Sequence, residues 1–112
     1  MARFIKGDVV VIPFPFSDLI MSGSKRRPAL VLADLPGSDI ILCQITSQAK
    51  KDKFIVAISN SDFATGSLPV QSYIRSNRIF TADKNIILRK AGSLKQELTK
   101  KIIQQVVSIF TD

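Results

Sequence analysis

Six apolar runs of strand length, each ended by turn residues, occupy the first ninety positions: "DVVVIPF" from Asp8, "PALVLAD" from Pro28, "IILCQIT" from Ile40, "FIVAIS" from Phe54, "SYIRSNRIF" from Ser72 and "NIILRK" from Asn85. Runs this short, rich in Val and Ile, predict six β-strands. Between the second and third, "LPGSD" supplies Pro36 and Gly37 for a tight turn, so these two strands are expected to form an antiparallel hairpin. Strands one and two are joined by the longer "PFSDLIMSGSKRR" from Pro15, a length often associated with function.

After Gly92 the period changes. Leu94, Leu98, Ile102, Val106 and Ile109 recur every three or four residues, with Lys and Gln on the other faces. That is one amphipathic C-terminal helix, and Ser93 with Gln96 has the spacing of a capping box. Strands plus a single covering helix predict a mainly β (α+β) fold built on a small, strongly bent antiparallel sheet or partial barrel. With 112 residues and no linker or repeat, the expectation is a single domain over 1–112.

The 16 Lys and Arg against 9 Asp and Glu leave a net charge of +7, which favours anionic partners, nucleic acid first and an acidic protein second. Cys43 is the sole cysteine, so no internal disulfide can form, and a reducing, cytoplasmic location is expected. No apolar run approaches the roughly 18–20 residues of a membrane span. The N-terminal "MARFIKGD" lacks the apolar region of a signal peptide.

Absent residue types narrow the chemistry. With no histidine, the chain cannot build a Ser-His-Asp triad, a Cys-His pair, a zinc-histidine site or a two-histidine ribonuclease. Asp8, Asp18, Asp34, Asp39, Asp52, Asp62 and Asp83 are dispersed without a close pair, which disfavours a metal-dependent nuclease. The glycines stand singly, so there is no phosphate loop. No metal and no cofactor are expected.

What remains is arginine, threonine and serine at strand ends. Arg27 enters strand two, Thr46 and Ser47 leave strand three, and Arg75 and Arg78 flank Asn77. The hairpin brings the start of strand two and the end of strand three to one end of the sheet. A guanidinium matches phosphate oxygens and stabilises charge developing on phosphorus. RNA carries its own nucleophile, the 2′-hydroxyl, so this inventory suffices for cleavage without metal. Against this, three cations before a strand (Lys25, Arg26, Arg27) are commonly a soluble loop flank, and Thr-Ser at a strand end is ordinary turn chemistry. Lys50, Lys51 and Lys53 read as a solvated hairpin tip. Phe14 and Phe16 read as packing residues, Phe16 being the better candidate for base stacking.

Taken in order, "KGDVVVIPFPFSD", "SKRRPALVL", "QITSQ" and "SYIRSNRIFTADK", followed by the amphipathic tail, resemble the MazF/PemK toxins over nearly the whole chain. The resemblance implies an SH3-like barrel-type fold, a homodimer, metal-independent cleavage of single-stranded RNA at short sequences, and inhibition by a cognate antitoxin. It implies that Arg27, Thr46 and Arg75 are catalytic, Arg27 contacting the scissile phosphate as acid or electrostatic stabiliser, and that Thr46 and Ser47 contact substrate. Arg26, Phe16, Asn77 and Arg78 complete the expected RNA-binding set. One departure stands out: some relatives carry an aspartate proposed as general base where this chain has Asn77, and an amide cannot take up that proton. Asn77 can still read a base edge. Two other functions compete with cleavage: a non-catalytic toxin of the same fold that binds a protein such as gyrase, and an RNA-binding module without catalysis.

Overall fold

The computed structural model describes residues 3–13, 25–49 and 51–112. Seven strands form one sheet: β1 (Asp8–Pro13), β2 (Arg26–Asp34), β3 (Asp39–Thr46), β4 (Ile55–Ile58), β5 (Phe63–Gly66), β6 (Ser72–Asp83) and β7 (Arg89–Leu94). Their order across the sheet is β4-β6-β3-β2-β1-β7-β5, every pair antiparallel. Helix α1 (Gln96–Thr111) ends the chain. The fold is a mainly β, curled half-barrel with a C-terminal helix, as the sequence pattern and the SH3-like resemblance implied.

Both faces of the sheet are apolar. One carries Val9, Leu30, Cys43, Ile45 and Ile74, covered by Leu98, Ile102, Ile103 and Val106 of α1. The other carries Val10, Ile12, Ala29, Val31, Ile40 and Leu42, with Phe4, Phe80, Ile86 and Ile87 packed against it. Strand side chains alternate between faces, so two-sided burial explains why β1 reads as an unbroken apolar run.

The β2–β3 hairpin forms as expected, in register from Ala29↔Gln44 to Asp34↔Ile40. Gly37 takes φ +80° in its turn, and Leu35 N donates to Asp39 O at 3.2 Å. Lys84 clamps the turn from outside: its Nζ lies 2.6 Å from Asp34 Oδ1 and donates to Leu35 O and Gly37 O.

Three expectations need correction. There are seven strands rather than six, because Phe63–Gly66 pairs with β7 although its last three residues are exposed and carry no apolar alternation. The strand expected from Asn85 begins instead at Arg89; residues 84–86 form a 3₁₀ turn whose Ile86 packs on the second apolar face. Ser93 does not cap the helix. It lies in β7 with its hydroxyl donating to Asp8 Oδ1, and Lys95 occupies the N-cap position without a side-chain bond.

Candidate functional site

β2 starts and β3 ends at the same edge of the hairpin. The ladder is paired as far as Ala29↔Gln44, and Arg27 and Thr46 lie two residues beyond that pair on their own strands. Thr46 is itself paired with Tyr73 of β6. Arg27 lies two residues from Ala29, Thr46 two from Gln44, and Arg75 two from Tyr73. Strand alternation therefore sets Arg27, Thr46, Tyr73 and Arg75 on one face, the face of Ala29 and Leu42.

Arg75 marks an irregularity in the sheet. Cys43 pairs with Ile79 and Ile45 with Ile74, so residues 75–78 stand against Gln44 alone. The bulge is tied down on both sides: the Cys43 thiol donates to Arg75 O (2.7 Å), Ser76 N and Oγ donate to Phe54 O, and Arg78 Nε donates to Gln44 Oε1 (3.2 Å). Bulges re-aim side chains and collect beside functional sites. This one exposes Asn77 and Arg78 and fully buries Ser76.

The electrostatics around these strand ends are one-sided. Arg75 Nε is buried without a hydrogen-bond partner, and among the described residues none of Arg26, Arg27, Arg75, Arg78 or Arg89 forms an ion pair. Thr46 is nearly buried; its Oγ1 accepts from Gln48 N at 3.2 Å, which leaves the hydroxyl proton available to donate. Cys43 is inert here. Burial pushes its thiol up to about 12 despite the opposing pull of the Arg75 charge, so it stays protonated at neutral pH.

On the opposite face of the same strand ends lies a groove of about 290 Å³ with an apolar floor of Val11, Pro28 and Ile45, bordered by Arg26, Arg27, Ser47 and Arg89. The structure thus divides the expected set: Thr46 and Arg75 share one face with Arg27, while Ser47 and Arg26 border the groove behind it. Arg27 borders the groove as well, so it joins the two. Phe16 lies outside the described residues.

Three neighbours escaped the sequence reading. Tyr73 is visible only through its pairing with Thr46, Gln44 only through its bond to Arg78, and Arg89 only because β7 pairs Arg89 with Val11. Gln44 and Tyr73 lie inside the stretches "QITSQ" and "SYIRSNRIFTADK" and Arg89 inside an apolar run, but no local signal singled any of them out.

The "KGD" segment proves structural. Gly7 takes φ +99°, and a Cβ there would lie 2.9 Å from Thr99 Oγ1 of the helix. Asp8, 1% exposed, accepts from Ile5 N (3.0 Å) and Ser93 Oγ (2.8 Å) and pairs with Lys90 (3.3 Å).

Known structures share this architecture. A MazE–MazF complex from Deinococcus radiodurans aligns with a TM-score of 0.75 at 19% identity, covering 95% of this chain and 94% of that one. MazF from the same organism aligns at 0.73 with 17% identity and full coverage of both chains. An endoribonuclease bound to its cognate antitoxin, from a mycobacterial species, aligns at 0.70 with 18% identity, over 97% of this chain and 96% of that one. No curated protein matches significantly by sequence. Among the described residues no helix is long and apolar enough to cross a membrane. The family of PemK-like, MazF-like toxins of type II toxin-antitoxin systems matches residues 5–110, nearly the whole chain, and the chain belongs to that family.

Proposed function

We propose that this toxin is an endoribonuclease that cuts single-stranded RNA through the substrate's own 2′-hydroxyl. The observation that carries the reading is the face built from Arg27, Thr46 and Arg75, where guanidinium groups stand without carboxylate partners among the described residues and one buried Nε has no acceptor. An uncompensated cationic site beside a free hydroxyl donor suits a phosphodiester.

In the reaction the 2′-hydroxyl gives its proton to solvent water as its oxygen bonds to phosphorus, and the bond to the 5′-oxygen breaks as that oxygen takes a proton from water, giving a 2′,3′-cyclic phosphate and a 5′-hydroxyl end. Charge accumulates on the non-bridging oxygens, where Arg27 supplies a paired donor and Thr46 a hydroxyl. Arg75 adds positive charge from the adjacent strand. Asn77 takes no proton, so the contribution of these residues is electrostatic and positional. The expected assembly is a homodimer. The expected protein partner is an antitoxin whose acidic segment lies over these arginines and excludes RNA, since a surface that holds phosphates also attracts carboxylates.

Incubating the purified protein with a long RNA in chelator and mapping the ends tests the reading. Cyclic-phosphate and 5′-hydroxyl ends support it. RNA binding without cleavage would assign the chain to a module lacking catalysis, and neither binding nor cleavage, with inhibition of gyrase, to a toxin with a protein target. Sedimentation at micromolar concentration checks the dimer, and competition between RNA and the neighbouring gene product checks occlusion.

A further inference from the structure

Behind the arginine-lined groove is a second pocket of about 240 Å³, and the segment joining β5 to β6 is the wall between them: Leu68, Pro69, Val70 and Ser72 line both cavities. The wall is held by the second pocket's own side chains. Leu68 N donates to Asn60 Oδ1 (3.2 Å), and Gln71 Nε2 donates to Ile58 O (2.8 Å) and Ser72 O (3.3 Å). These bonds fix which way round each amide sits. A backbone N–H only donates, so Asn60 turns its oxygen to it and keeps Nδ2 spare; backbone carbonyls only accept, so Gln71 meets them with nitrogen and keeps Oε1 spare. Neither spare atom has a partner among the described residues.

Asn60 and Gln71 are exposed residues that line the pocket beside apolar Ile58, Phe63 and Leu68, so one spare amide donor and one spare amide acceptor are open to a ligand there, and no charged side chain lines it. The neighbouring groove is the reverse, with three arginines. A neutral cavity has nothing to balance a phosphate or a carboxylate, and its size falls below the roughly 300–1,000 Å³ of pockets for drug-sized ligands. A single planar heterocycle meets both conditions. The Watson–Crick edge of an unpaired base presents adjacent donors and acceptors, and sequence-specific proteins read single-stranded RNA by that edge.

We infer that this pocket seats one unpaired nucleobase, read by Asn60 Nδ2 and Gln71 Oε1, while a phosphate of the same strand lies across the wall in the groove of Arg26, Arg27 and Arg89. The inference rests on the reading of the chain as an RNA-cleaving toxin, and it makes residues 59–72 determinants of sequence preference separate from the residues that act on phosphorus.

The test uses the purified full chain and a library of short unstructured RNAs with randomised positions, scored by sequencing of bound and of cleaved molecules. Asn60→Asp keeps the oxygen that holds Leu68 N and converts the spare donor to an acceptor, so the wall is retained while the readout inverts. Gln71→Lys keeps a nitrogen donor for the Ile58 and Ser72 carbonyls that hold the wall and removes the spare acceptor. Each variant is expected to change the base preference at one and the same library position by about tenfold, the size of one well-made base contact, and to leave the other positions alone. A uniform loss across all positions, or profiles unchanged within about twofold for both folded variants, would overturn the inference while leaving RNA cleavage by the parent intact. Weakened binding of a synthetic glutamate-rich peptide with an unchanged RNA profile would overturn it in favour of a protein ligand. A parent that binds no RNA at all defeats the wider reading as well, which separates the two failures.

Discussion

β1 runs between two polar clusters that are built on opposite terms. At its start the Asp8 carboxylate is buried and saturated, with both oxygens bonded and a lysine beside them. Four residues on, roughly 13 Å at about 3.3 Å per residue, Ile12 pairs with Arg27 at the edge of a region where arginines lack ion pairs and Arg75 carries a buried unpartnered Nε. A buried polar group with all its bonds made stabilises the fold, whereas one left short of a partner lowers stability and is retained where a ligand completes it. The first cluster joins β1 to β7, and the second is left without counter-charge among the described residues.

The largest effect that tests this contrast is at Arg27. Arg27→Ala should lower RNA cleavage at saturating substrate by on the order of 10²–10³, as when a donor to a developing oxyanion is lost, with unfolding midpoints unchanged; Lys25→Ala should weaken binding only. An Arg27→Ala protein cutting as fast as the parent removes Arg27 from the chemistry. Next comes the saturated end. Asp8→Ala strips charged-acceptor bonds from Ile5 N and Ser93 Oγ and should cost about 2–3 kcal/mol, read by urea unfolding, while cleavage per folded molecule stays at the parent level. Loss of cleavage without loss of stability would reverse the comparison.

At the unsaturated end, Arg75→Met removes a guanidinium whose Nε is unpaired, so stability should change by no more than about 1 kcal/mol in either direction. RNA affinity should fall about tenfold. Marked destabilisation with unaltered affinity would make Arg75 a structural residue. The smallest effect concerns Cys43, beneath the bulge. Its thiol is raised from 9.0 to about 12, so above pH 9 the unfolded chain loses this proton first and stability falls as pH rises toward 12. Near about pH 9.5 the contribution is roughly 1 kcal/mol or less. It should appear as a difference in urea midpoints between the parent and Cys43→Ala that is absent at neutral pH.

Much of the candidate site's placement was legible because it depends on hairpin arithmetic. Arg27 and Thr46 flank a turn marked by Pro36 and Gly37, so an antiparallel pair puts them at one end whatever the rest of the chain does. The helix was legible from its period. The strand at Phe63–Gly66 was not: its Ala64, Thr65 and Gly66 are exposed, and it exists because β7 offers an edge. The period changes after Gly92, yet Gly92 sits inside β7 opposite Gly66.

From sequence alone came the elements that local chemistry decides: apolar runs of strand length, a tight turn, a helical period, a basic surface and the exclusion of histidine chemistry. Tertiary structure decided which face each cation occupies. Alternation makes a side chain's face depend on register, and in β6 the register is broken by residues 75–78, through bonds to Cys43, Gln44 and Phe54 that are remote in the chain. The same holds for Asn60 and Gln71, eleven positions apart by number in the sequence. Nothing local pairs them, and only the wall folded between two cavities leaves one a donor and the other an acceptor.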